Sequence, residues 1–375
     1  NMGIGLYSGR IAEPFLNGDE AFQIPFALRV LDNELFSRDS LLLEHETFYP
    51  PAFQFIAAQF ISFFGSVKNA YLGLSIISFI VWASGLFWLG RTVHGNHAGI
   101  AMALFGSVMR PGLVDIGFGI SIGSLVPREL VFAFLPWIAL LLLHYHSKHN
   151  AWFARIAFLG LGILSWFNPV TAVHAFLVFF AGLLWVERSR IRMPSTMLRV
   201  HGANALLFAL GALPYILFYL SHPFTPPDAE FLSLRWMHFV VFFPLQRELF
   251  LLVVNMLPFA LALAWFQHVE RKAMQGHGLL GAWLGACVLV VLSSALVIVP
   301  FLRNALLGFQ FQRASVLVYV PLYAFGAMLF MHYYALKGAR FKVFAFFVLG
   351  FLFVPWGAVL GMVEPNLNSV FVADT

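Results

Sequence analysis

Eight of the seventeen acidic residues of this chain fall between positions 13 and 46: Glu13, Asp19, Glu20, Asp32, Glu34, Asp39, Glu44 and Glu46. Carboxylates can take a proton from a hydroxyl, orient an acceptor or hold a hard cation, so such a density marks chemistry or binding. Further along, Arg110, Asp115, Arg128, His174, Arg247, Gln312 and Arg313 stand at the edges of apolar runs. Arginine is well shaped to hold phosphate, because its planar fork donates paired hydrogen bonds. Acid on one segment with arginine around it matches the transfer of a group from a lipid-phosphate donor. A carboxylate deprotonates the acceptor, and cations stabilise the departing phosphate. Asp19 is the candidate base, and Glu20 orients the acceptor or helps to bind a cation. The competing reading is that both acids only cap a helix starting near Ala21, where carboxylates complement the helix dipole.

The elements that must position these residues are membrane helices. Hydrophobic residues make up 61% of the 375 positions and charged residues 10%, with repeated apolar runs near the ~20 residues needed to cross a bilayer. The fold class expected is all-α: a polytopic integral membrane protein of about ten or eleven transmembrane helices. Spans are predicted near 70–90, 97–109, 127–146, 151–167, 169–186, 200–221, 249–267, 278–301, 314–335 and 343–361, where apolar runs are bounded by charge, Pro or Gly. The run 51–65 is short and carries Gln54 and Gln59, which predicts a helix lying at the interface. Residues 10–69 then form an outer loop with interfacial helices, within a single membrane domain covering 1–375.

Charge sets the expected orientation. With those spans, one side carries Arg91, Lys148, Arg155, Arg188, Arg190, Arg192, Arg199, Arg271, Lys272, Lys337, Arg340 and Lys342 against Glu187 and Glu270 alone. The positive-inside rule makes that side cytoplasmic and puts the acidic segment outside. Residue 1 then lies outside as well, which predicts a preceding helix or signal sequence ahead of Asn1. The net charge of +5 reads through topology rather than as a nucleic-acid footprint. The one cysteine, Cys287, lies in an apolar run and is expected to pack.

The segment Gly18-Asp19-Glu20 to Pro25, the run Leu31-Asp32 to Arg38-Asp39 and Tyr49-Pro50-Pro51, followed by many spans, resemble the GT-C superfamily of polytopic glycosyltransferases. Pro127-Arg128-Glu129 and Asn168-Pro169 are similar to segments of bacterial members. The resemblance implies a first-loop catalytic acid at Asp19, with Glu20 beside it, and a sugar donor carried on polyprenyl phosphate. Asp39 is then a secondary candidate, and Asp115 corresponds to the second-loop acid of metal-dependent members, which would imply a divalent cation. Arg110, Arg128, Arg247, Gln312, Arg313 and His174 are the candidate substrate-binding residues. The expected partners are a lipid-linked sugar donor, membrane lipids and an unidentified acceptor, with other membrane proteins as further candidates and no nucleic acid.

Other patterns weigh less. His144, His146 and His149 end a span beside Lys148, where a solvated interface is expected rather than a metal. Gly117-Phe-Gly119-Ile-Ser-Ile-Gly123 has the wrong spacing for a dinucleotide loop and is expected in tight helix packing or a re-entrant turn. His174, one turn into a span, and Arg128 and Arg313, at span starts, have plain packing and snorkelling explanations. The alternative function is a non-catalytic subunit of a larger membrane complex on the same scaffold. A transporter or flippase is the third reading, disfavoured because the spans are nearly free of charge.

Overall fold

The computed structural model describes residues 19–36, 51–108, 112–113, 116–117, 125–188, 194–221, 278–293 and 311–335, with single positions 296, 338 and 342. Its elements in chain order are α1 (Asp19–Leu31), α2 (Pro51–Phe64), α3 (Val67–His94), α4 (Asn96–Val108), β1 (Gly112–Leu113), β2 (Ile116–Gly117), α5 (Pro127–Lys148), α6 (Ala151–Leu164), α7 (Pro169–Glu187), α8 (Pro194–Ser221), α9 (Gly278–Ser293), a 3-10 helix (Phe311–Val318) and α10 (Tyr319–Ala335). The described fold is helical apart from one small antiparallel ribbon, in which Gly112 pairs with Gly117 and Leu113 with Ile116.

Among the described residues, four helices are long and apolar enough to cross a bilayer: α3, α5, α7 and α8 from Arg199 onward. The expected span at 97–109 exists as helix α4, but its 13 residues reach only about 20 Å at ~1.5 Å each, short of the ~30 Å hydrocarbon core. The expected spans at 249–267 and 343–361 lie outside the described residues.

Local chemistry explains where the helices begin and end. Asn150 Oδ1 accepts from Trp152 N at 3.1 Å to start α6, and Asn168 Oδ1 accepts from Thr171 N at 2.9 Å to start α7. Pro127 and Pro169 stand at the first helical positions, where a missing N–H costs nothing. Gly95, at φ 87°, closes α3, and its N–H donates to Arg91 O at 2.8 Å. The run expected as one span from 314 is divided, a 3-10 turn leading into α10 at Tyr319. Pro321 gives the reason: it has no N–H to donate to Leu317, so it fits the first turn of a new helix and not the interior of a continuing one.

Lipid is as apolar as leucine, so close packing and interhelical hydrogen bonds hold such helices together. The main core joins Trp82, Leu86 and Leu89 of α3 to Phe132, Leu135 and Leu142 of α5, Phe158 of α6, Phe179 of α7, Trp283 of α9 and Tyr323 of α10. Indole N–H groups tie backbones across it: Trp82 donates to Gly106 O at 3.2 Å, Trp137 to Val81 O at 2.9 Å and Trp166 to Gly211 O at 2.8 Å. The stacked rings of Phe176 and Phe208, 4.2 Å apart, join α7 to α8. Ile76, Ile77 and Ile80 on α3 and Leu206, Leu210, Leu213, Leu217 and Leu220 on α8 are exposed, an outward apolar surface that suits acyl chains.

Candidate functional site

The first candidate acids open α1. The helix starts at Asp19, two residues earlier than expected, so Asp19 and Glu20 occupy its first turn where the dipole favours negative charge. Pro25 interrupts the backbone ladder one turn and a half later, and Arg29 lies in the last turn. A second, smaller core fixes this helix in place. Ala27 of α1 packs with Phe53, Ala57 and Ile61 of α2, with Ala70, Tyr71 and Leu74 at the start of α3, and with Leu125 ahead of α5. Phe167, ahead of α7, packs against the same cluster. The α1–α2 layer therefore sits on the end of the bundle where α3, α5 and α7 begin.

That end carries the other described candidates. Arg128 is partly buried in the first turn of α5, and its neighbour Glu129 is buried, with 2% of its surface exposed. A buried carboxylate at a helix start is stabilised by the free N–H groups and dipole of that turn. His174 is buried in the second turn of α7, with its ring 5.6 Å from that of Phe311 at 44°. Phe311 begins the 3-10 helix that carries Gln312 and Arg313, and this helix packs on α7 and α9 and beside β2. The fold thus brings the starts of α5 and α7, the 3-10 helix and the ribbon to one end, where α1 and α2 pack on Leu125 and Phe167. Asp39, Arg110, Asp115 and Arg247 lie outside the described residues.

Among the described residues, no three His, Cys, Asp or Glu side chains converge as metal ligands. His144, His146 and His149 stand at the end of α5: His144 lies 5.5 Å from the Phe153 ring, and His149 takes the left-handed cap conformation at φ 54°. Cys287 is buried and packs, its Sγ 3.0 Å from Ala314 O.

The opposite end holds a polar cluster that the sequence pattern does not reveal. Glu187, counted from sequence among the loop charges, is buried at the end of α7. Tyr145 Oη of α5 donates to its Oε2 at 3.1 Å, and His201 Nε2 of α8 lies 3.1 Å from the same oxygen. One carboxylate so links three helices. Asn204, on the same face of α8 as His201, is also buried; among the described residues, neither its Nδ2 nor His201 Nδ1 finds a hydrogen-bond partner. Tyr145, Glu187 and His201 are too far apart in the chain for any local spacing to announce them. The one available signal was Glu187 itself, an acid among arginines.

Removing one member of such a cluster strands the others in a medium that cannot solvate them. Glu187→Ala is expected to lower unfolding stability by ~3 kcal/mol. The added change His201→Ala should cost less in the double variant than alone, since its partner is already gone. Denaturant titration in mixed micelles measures both, and additive losses would show that the two side chains are not coupled.

Together the helical fold, the four described helices able to span a bilayer and the outward apolar surface define the class: a membrane-embedded helical protein. Comparison of the chain with protein-family models, with curated proteins and with solved structures finds no match.

Proposed function

We propose that this protein is a GT-C-type glycosyltransferase, moving a sugar from a polyprenyl-phosphate donor to an acceptor at the outer face of a bacterial inner membrane. The observation that carries the reading is the second core. Through Leu125 and Phe167 it sets the acid-headed helix α1 on the same end of the bundle as the starts of α5 and α7, which bear Arg128, Glu129 and His174. Transfer needs this pairing of an acid-bearing layer with a cation-bearing bundle end.

In the proposed reaction Asp19 accepts the proton of the acceptor hydroxyl as that oxygen bonds to the anomeric carbon from the face opposite the phosphate. The bond from the anomeric carbon to the phosphate oxygen breaks, and the sugar inverts. Polyprenyl phosphate leaves with the added negative charge, which Arg128 and the candidate arginines Arg110, Arg247 and Arg313 stabilise. Glu20 and Asp39 orient the acceptor, and His174 with Gln312 lines the sugar site. The apolar helix α2, with Phe55, Phe63 and Phe64 exposed, lies in the headgroup layer and offers a path for the polyprenyl chain.

The donor's leaving group is common to every sugar the enzyme could use, so polyprenyl phosphate itself is the probe. The protein in detergent is expected to bind it saturably and in preference to polyprenol of equal length, as read by native mass spectrometry. Arg128→Gln should weaken that binding by about tenfold, as expected for losing one charge-assisted phosphate contact. Equal binding of the phosphate and the free alcohol would sink the assignment of a phosphate site.

A further inference from the structure

We infer that the basic end of the bundle binds anionic phospholipid headgroups through three copies of one device, a tryptophan followed three residues later by an arginine. The copies are Trp88-Leu-Gly-Arg91 at the end of α3, Trp152-Phe-Ala-Arg155 at the start of α6 and Trp185-Val-Glu-Arg188 at the end of α7. In each, the guanidinium lies over the indole of its own pair, at 4.7, 5.3 and 3.8 Å from the ring centroid respectively. All three tryptophans are exposed, at 42%, 65% and 62%. The three arginines are exposed too.

Helix geometry explains why the device recurs. Residues three apart share a face, and side chains lean toward the helix N-terminus, so an arginine placed after a tryptophan folds back over it. Short connections bring the three pairs to one level. Gly95 joins the end of α3 to α4, and His149-Asn150 joins the end of α5 to α6, while the end of α7 meets the end of α5 through Tyr145 and Glu187. Exposed tryptophan belongs at the boundary between headgroups and acyl chains, which sets these guanidinium groups at the depth of lipid phosphate.

What makes this a binding surface and not merely an anchoring belt is uncommitted charge. Among the described residues, Arg91, Arg155 and Arg188 contact no carboxylate; each is engaged only by its ring. Glu187, the acid adjoining Arg188, is turned inward and spent on Tyr145 and His201, so it leaves that arginine unneutralised. A guanidinium held over an indole still has N–H groups to donate to a phosphate. The occupant that fits is a phospholipid with a net negative headgroup, its acyl chains against the apolar helix surfaces below.

The test is native mass spectrometry of the full chain in detergent, titrated with phosphatidylglycerol and with phosphatidylcholine of the same chains. The wild type is expected to retain phosphatidylglycerol with about a tenfold preference, and the triple variant R91Q/R155Q/R188Q to lose it. The variant R91K/R155K/R188K should keep part of the preference, having charge without the planar fork. Each single Gln variant should lower it by about two- to threefold, which keeps the test open should the triple variant fold poorly. Equal retention of the two lipids by the wild type, or an unchanged preference in the triple variant, would show that these arginines only anchor. Displacement of the lipid by inorganic phosphate at matched concentration would overturn the lipid assignment in favour of a free anion.

Discussion

Asp19→Asn is expected to slow sugar transfer by at least about a hundredfold, the loss that follows removal of a general base, with stability nearly unchanged. Asparagine is the informative replacement because it separates the two explanations of this residue. It suits a helix start about as well as aspartate, so a purely structural Asp19 would tolerate it. It cannot accept a proton from a hydroxyl, so a catalytic Asp19 would not. Loss of the charge from the first turn of α1 accounts for only ~0.5 kcal/mol of stability through the helix dipole. Turnover of a polyprenyl-phosphate sugar and a thermal melt, measured on the same preparation, decide the matter. Full activity in the variant would remove Asp19 as the base. Loss of activity with an unchanged melt, and with polyprenyl phosphate still bound, would place the defect in the chemical step.

Gly211→Val should impair folding strongly. At the crossing of α6 and α8 the backbones touch: a Cβ on Gly211 would lie 2.5 Å from Leu159 O and 3.0 Å from Gly162 Cα. A Cβ on Gly162 would meet Phe208 O and lie 2.9 Å from Gly211 Cα. The obstacles are main-chain atoms, which cannot rotate aside, so any larger residue must push the helices apart. Separation would also break the bond from Trp166 Nε1 to Gly211 O and loosen the stacked Phe176–Phe208 pair. The combined loss is expected to reach ~3 kcal/mol, at the upper range of overpacking. Gly202→Ala, in the same helix, is the control. A Cβ there meets nothing within 4 Å, so the change should be neutral or stabilising by up to ~1 kcal/mol from helix propensity. Equal losses at positions 202 and 211 would mean that glycine in α8 matters for backbone freedom and not for contact.

Much of the helical plan was legible in advance because it depends on neighbours in the chain. Asn168-Pro169 and Val126-Pro127 announce helix starts by side-chain capping and by a proline that loses no bond. The long apolar runs of α3, α5, α7 and α8 declare membrane helices by length alone. The helix at Pro51–Phe64 follows from its short apolar run between Pro50 and Gly65. The segregation of acids and bases was visible too, since it is a property of order along the chain. Where local reading went astray, a local term had been undervalued: Pro321 divides the run that begins at 314.

The sequence by itself determined that the chain is apolar and helical and that its carboxylates are concentrated ahead of the bundle. It also supplied the residue types, Asp19 and Glu20 with the arginines, that make phosphate-dependent transfer a reasoned proposal. Only the tertiary structure decided which helices meet. The contact of Gly162 with Gly211, the sharing of Glu187 by Tyr145 and His201, the packing of Leu125 and Phe167 against the α1–α2 layer, and the common level of three tryptophan–arginine pairs each join residues from different helices. Backbone bonding within a helix is set by the nearest few residues. Contact between helices depends on crossing geometry, which is a property of the whole bundle and leaves no fixed spacing in the chain.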